Sequence, residues 1–235
     1  MLNGLLGELK NIADSEKAKN LRWFFKTGKG EYGEGDQFLG ITVPKLREIS
    51  KKYQGLKLND LQKLLESKIH EHRLSALMVL RFKYENKKTD ERSKKEIVRF
   101  YLSNTKKINN WDLVDLSCHY ILGNWLLDKN REILYKLSRS KNLWERRIAI
   151  ISTFAFIHEK QFQDSLKISE ILLQDNHDLI HKAVGWALRE IGKNDKKREI
   201  QFLDKYYKAM PRTMLRYAIE KFPNSERKHY FKKTV

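Results

Sequence analysis

His70 to Phe82 reads HEHRLSALMVLRF. Leu74, Leu77 and Met78 fall at the i, i+3, i+4 spacing of a helix with one apolar stripe. Four further segments resemble it: NNWDLVDLSCHYILG from Asn109 to Gly123, NLWERRIAIISTF from Asn142 to Phe154, LIHKAVGWALREI from Leu179 to Ile191, and PRTMLRYAIEKF from Pro211 to Phe222. They recur every ~32–41 residues, the period of HEAT-like helix pairs. A helix pair cannot bury its apolar face alone. Stacked pairs bury it on one another and line up equivalent helices along one concave wall. The sequence therefore predicts an all-α fold, a curved solenoid of HEAT-like helical repeats (an α-α superhelix), as a single domain over residues 1–235.

The rest of the chain agrees. Leu61, Leu64 and Leu65 form another stripe, and Ile97, Val98, Tyr101 and Leu102 a third. The breaks at Glu85–Asp90, Asp128–Asn130 and Asn194–Lys197 are short and charged, as helix connections usually are. Three prolines in 235 residues leave helices uninterrupted. One region differs: Gly28 to Gly40, GKGEYGEGDQFLG, holds five of the eleven glycines and reads as a loop after a first helix pair. Beyond it Pro44 suits a first helical turn, where its missing N–H costs nothing, and Leu46, Ile49 and Tyr53 follow at helical spacing.

Lys and Arg number 48 against 30 Asp and Glu, a formal net charge of +18. An excess this large repels itself in a compact body unless a polyanion uses it. The cations are spread along the chain. Aligned along the wall, Arg73, Arg147, Lys182 and Arg216 would form a row able to track a phosphate backbone, and Arg47 and Arg189 join this expected DNA-binding set. A membrane is not the expected partner, because no apolar run approaches the roughly 20 residues of a spanning helix. Met1 to Lys10 lacks the pattern of a signal peptide, and the single Cys118 excludes an internal disulfide. The expectation is a cytoplasmic, nucleoid-associated monomer on double-stranded DNA.

Trp111 and Asp115 stand four apart in NNWDLVD, which on a helix places indole and carboxylate on one face. Taken alone, the pair reads first as an aromatic packing contact and a solvated acid. Trp144 reads as core. Arg147 lies three residues on; Arg146, beside it, points about 100° away around the helix. Trp186 lies one turn after Lys182. Gly185 leaves backbone open beside the indole, for close approach by a ligand or by a neighbouring helix.

Together, FLGITVPKLRE, NNWDLVD, NLWERRIAI and HKAVGWALRE resemble the AlkD-type DNA alkylation-repair glycosylases, in that family's order and over nearly the whole chain. The resemblance implies HEAT-like repeats wrapping duplex DNA in a basic channel, and excision of alkylated purines such as N3-methyladenine and N7-methylguanine. It assigns Asp115 as the catalytic aspartate, Trp111 and Trp186 as the active-site tryptophans, and Arg147 as the arginine completing the cleft. The chemistry fits these residue types. A purine alkylated at N3 or N7 is already cationic, so it leaves without a general acid. Positive charge builds on the deoxyribose, where a carboxylate beside C1′ stabilises it and indole faces add cation–π attraction. Neither metal nor cofactor is expected.

Other motifs are weaker. Gly28 to Gly33 matches GxGxxG by letter, but no strand precedes it and Glu31, Glu34 and Asp36 would repel phosphate. A structured loop touching DNA through Tyr32 is the better reading. Thr42, before Val43 and Pro44, opens a helix whose N–H groups could hold a phosphate, or is an ordinary helix start. His70 and His72 are two apart, which is wrong for one helix face, and His119, His158, His177, His181 and His229 are scattered, so no metal site is expected. Cys118 reads as a small buried residue, and Glu226–Lys233 as a frayed basic tail. The competing function is a non-catalytic HEAT-repeat protein that binds damaged or branched DNA. A protein-binding scaffold has no use for the charge.

Overall fold

The structure is a computed structural model that describes residues 1–231. The fold is an all-α helical repeat, and the only β pairing among the described residues is an isolated bridge between Gln37 and Ile69. The chain divides into two compact units, Met1–Ile121 and Leu122–Val235. No described helix is long and apolar enough to cross a membrane.

The first unit holds α1 (Leu2–Asn11), α2 (Ser15–Phe24), α3 (Val43–Lys52), α4 (Leu58–Leu65), α5 (His70–Glu85), α6 (Glu91–Ser103) and α7 (Trp111–Asp115). Helix α5 is its centre and packs against α3, α4, α6 and α7. It buries Leu74, Leu77, Val79 and Leu80, and with them the polar His70, Glu71 and Arg73. The second unit holds α8 (Glu132–Ser138), α9 (Leu143–Ser152), α10 (Phe154–His158), α11 (Gln163–Ile171), α12 (Asp178–Asn194), α13 (Lys196–Tyr206), α14 (Arg212–Ala218) and α15 (Asn224–Phe231). Its centre is α12, which packs against α9, α11, α13 and α14.

Each of the five similar segments carries a helix, and two begin with the same device. Asn110 Oδ1 accepts from the Trp111 amide at 2.8 Å, and Asn142 Oδ1 from the Trp144 amide at 2.9 Å, satisfying donors that a helix start leaves open. The Asn109–Gly123 segment is not one continuous helix. Its α-helical part ends at Asp115, and a π-helical turn follows at His119–Gly123. Ser117 donates its hydroxyl to the Leu113 carbonyl at 2.5 Å, a side-chain bond that competes with the backbone ladder where the helix stops.

Gly185 is closed by protein. A Cβ there would lie 2.4 Å from the Met214 carbonyl oxygen and 2.5 Å from the Tyr217 Cβ. Of the two readings of this glycine, the approach of a neighbouring helix, α14, is the one observed.

The glycine-rich segment is a tied loop. The Gln37 amide donates to the Lys68 carbonyl at 3.0 Å, and the His70 amide to the Gln37 carbonyl at 2.8 Å. Glu71, buried, accepts from the amides of Leu39, Gly40 and Ile41 at 2.9, 2.8 and 3.2 Å. Glu31 and Glu34 accept from the amides of Gly28 and Gly30, so donors that a nucleotide loop would offer to phosphate already hold carboxylates. The expected frayed tail is helical through Phe231, because Tyr230 is buried and donates to Asp204 at 3.0 Å. Lys232 and Lys233 lie outside the described residues.

Candidate active site and nucleic-acid interface

Trp111 and Asp115 open and close α7, one turn apart, and both are half-buried. Trp111 leans on an aromatic cluster. Its ring stacks on Phe25 at 5.2 Å and meets Phe24 edge-on at 5.8 Å. Behind it, Phe25 stacks on Phe38 at 5.3 Å. Burial, and then the charge of Arg81, lower the pKa of nearby His119 to about 4. At neutral pH that imidazole is therefore uncharged.

Asp112, three residues before Asp115, has a different environment. It is buried and accepts from His70 Nε2 at 2.8 Å. The other ring nitrogen, His70 Nδ1, meets Asp36 Oδ2 at 3.2 Å. Asp36 also pairs with Arg73 Nη2 at 2.7 Å, while Arg73 Nη1 donates to the Ser67 carbonyl at 2.9 Å. Two carboxylates and two cationic groups thus form a closed buried set. Here Arg73 departs from the expected row of surface cations. It is 4% exposed, because the acid in the glycine-rich loop draws it inward. The sequence sets His70 aside with His72 as a pair two apart, the wrong spacing for a metal site on one helix face. Its signal was the neighbouring buried-type pattern of α5, but its partners come from 34 and 42 residues away.

In the second unit Trp144 is core, as the sequence suggested. Arg147 is also buried, 5% exposed, and its Nη1 donates to the Leu179 carbonyl at 2.6 Å. It ties α9 to the first turn of α12 and does not stand in an open cationic row. Arg146 is held separately by Asp175 at 2.6 Å. Trp186 is half-buried on α12. Its Nε1 donates to Glu190 at 3.0 Å, and its ring meets Phe154 edge-on at 4.6 Å. Lys182, half-exposed, pairs with Asp178 at 2.6 Å, and Arg189 pairs with Glu220. Arg216 is exposed.

Of the other expected contacts, Thr42 and Arg47 are exposed at the start of α3, and Tyr32 is half-buried in the loop. The structure adds a feature that the sequence reading missed. At the end of α2, Trp23 is 84% and Phe24 54% exposed. Arg22, Lys26 and Lys29 around them are exposed as well. The alternation of basic and aromatic residues in LRWFFKTGK was the available signal, and Phe24 joins this tip to Trp111. An 830 Å³ groove between α11 and α13 contains none of these residues.

The chain is an all-helical repeat with a large cationic excess, and it carries a half-buried indole and a half-buried carboxylate at the two ends of one short helix. The chain belongs to the DNA alkylation repair enzyme family, whose model matches residues 5–222. Its role is accordingly in the repair of alkylated DNA. Among solved structures it is similar to a predicted DNA alkylation repair enzyme from Enterococcus faecalis, at 17% identity and a TM-score of 0.71, over 90% of this chain and 97% of that one. At that identity the likeness speaks to the fold. No curated protein matches this sequence.

Proposed function

We propose that this protein is a monofunctional DNA glycosylase that releases cationic alkylated purines, such as N3-methyladenine and N7-methylguanine, from double-stranded DNA. One observation carries the reading. Trp111 and Asp115 sit at the two ends of one short helix, both half-buried, and the exposed Phe24 meets the Trp111 ring edge-on.

The bond between C1′ and the purine nitrogen breaks with its electron pair leaving on the base, which becomes neutral. Positive charge passes to the sugar. Asp115 stabilises it, and water then adds to C1′ and loses a proton, leaving an abasic site. The logic parallels the ionised carboxylate of glycosidases, although a C–N bond is cleaved. Trp111 presents its indole to the cationic sugar, and the family resemblance assigns Trp186 as the second active-site tryptophan. No lysine is assigned as a Schiff-base nucleophile, so strand cleavage is not expected.

Arg216, Arg47, Thr42 and Lys182 are read as phosphate contacts, together with Arg22, Lys26, Lys29 and Tyr32 of the loop region. Arg189, held by Glu220, ranks below them. Arg147 acts through the position that it gives α12. The protein acts as a monomer at the nucleoid in the cytoplasm, without metal or cofactor.

The test is incubation with duplex DNA carrying N7-methylguanine, with detection of free base and abasic sites. Release of the base supports the reading. Tight, strongly salt-dependent duplex binding without release favours the non-catalytic DNA binder, since phosphate contacts release counterions in either case.

A further inference from the structure

The buried acid–base set lies directly behind α7. His70 contacts the glycine-rich loop through Asp36 and α7 through Asp112. Its ring also stacks on Phe38 at 4.7 Å and on Phe25 at 5.0 Å, and Phe25 is the ring against which Trp111 packs. One side chain therefore touches the residue next to Trp111 by hydrogen bond and the support of Trp111 by stacking. We propose that His70 is a positioning residue for base excision: by bridging Asp36 and Asp112 it holds α7, and so Trp111 and Asp115, in the register that acts on DNA. This rests on the glycosylase reading above.

The geometry requires both ring nitrogens to donate, because each faces a carboxylate. Only the imidazolium does that. Burial alone would lower the pKa of His70, but Asp112, by charge and hydrogen bond, and the hydrogen bond to Asp36 outweigh it. Arg73, on the same helix, opposes them, and the result is raised to about 9. The charged groups acting on this ring are Asp112, Asp36 and Arg73, and its faces meet the rings of Phe25 and Phe38. The bridge is complete at neutral pH and opens as pH rises through about 9. Neutral imidazole donates from one nitrogen only, leaving one buried carboxylate without its bond. Glu71, on the next residue, fixes the other side of the same loop through three amides. Asp36 is therefore presented from a rigid support.

The experiment is single-turnover release of N7-methylguanine by the full chain across pH 7 to 10. Circular dichroism follows folding, parallel controls follow uncatalysed loss of the base, and histidine-labelled NMR locates the His70 titration. Wild-type rate is expected to hold to about pH 8 and fall with the His70 titration. His70→Gln can donate one hydrogen bond and carries no charge. It is expected to release base at least tenfold more slowly at pH 7, to bind undamaged duplex within about twofold of wild type, and to lose the alkaline limb. A purely structural histidine would change stability without moving that limb. If His70→Gln does not fold, coincidence of the wild-type limb with the NMR titration decides, and a limb displaced from it overturns the proposal. No release by wild type overturns the glycosylase reading itself. Release by wild type, with an equal rate in His70→Gln or a profile flat through pH 9, overturns the positioning role alone.

Discussion

Replacing Gly185 by alanine separates two uses of the space beside Trp186. The new methyl would sit 2.4 Å from the Met214 carbonyl oxygen and 2.5 Å from the Tyr217 Cβ. Ordinary contact lies near 3.5 Å, so α14 must retreat from α12 by about 1 Å. Neither neighbour is the flexible end of a side chain. Overpacking of this kind costs ~1–3 kcal/mol, and two rigid contacts argue for the upper part of that range. Alanine's better helix propensity returns ~1 kcal/mol. The net expectation is about 2 kcal/mol of destabilisation. At ~2–4 °C per kcal/mol for a chain of this size, the melting midpoint should fall by roughly 4–8 °C. Calorimetry checks this, alongside duplex affinity at fixed salt, which should change by less than twofold. An alanine variant as stable as wild type, with impaired DNA binding, would refute the reasoning and return Gly185 to the role of a ligand-facing backbone.

Trp144→Ala should destabilise by about 3–5 kcal/mol as a core truncation, whereas Trp186→Ala, half-buried, should melt near wild type and release base more slowly; melting curves read beside single-turnover rates separate the two. Asp112→Asn should lower the melting midpoint by several degrees at pH 6.5, because it removes a buried partner of His70. The folded pKa of that histidine lies above its unfolded value, so the pair's stabilisation is full below about 6.5 and lost through about 9, and the gap to wild type should narrow over that interval in calorimetry at stepped pH. Burial raises the pKa of Glu199 from 4.5 to about 8. The folded chain thus keeps a proton that the unfolded chain releases, stability falls as pH rises across that window, and Glu199→Gln should flatten the slope measured by urea titration.

Much of the fold was legible because helix pairs write their period into the sequence. HEHRLSALMVLRF and LIHKAVGWALREI each become the central helix of a unit. The spacing of Trp111 and Asp115 also held, since both fall within α7. What was not legible depends on partners distant in sequence. Arg73 and Arg147 look like surface cations in any local window. They are buried because Asp36 and the Leu179 carbonyl wait for them from other elements. His70 was overlooked for the same reason. Gly185 left two readings open because a helix pattern does not say which neighbour arrives. Trp23 and Phe24 stand exposed at the end of α2, and their signal, the alternation of basic and aromatic residues around them, was not weighed.

The central claim concerns the charge on Asp115, and Asp115→Asn tests it most directly by removing the charge while keeping the shape. Single-turnover release of N7-methylguanine from duplex DNA is the measurement, made on folded protein with melting curves in parallel. The rate should fall by roughly two to three orders of magnitude, the loss typical of one preorganised electrostatic group. Affinity for undamaged duplex should hold or rise slightly, because the substitution removes a negative charge from a surface proposed to meet phosphate. A variant that releases the base at the wild-type rate would contradict the account and leave the protein as a DNA binder whose chemistry lies elsewhere.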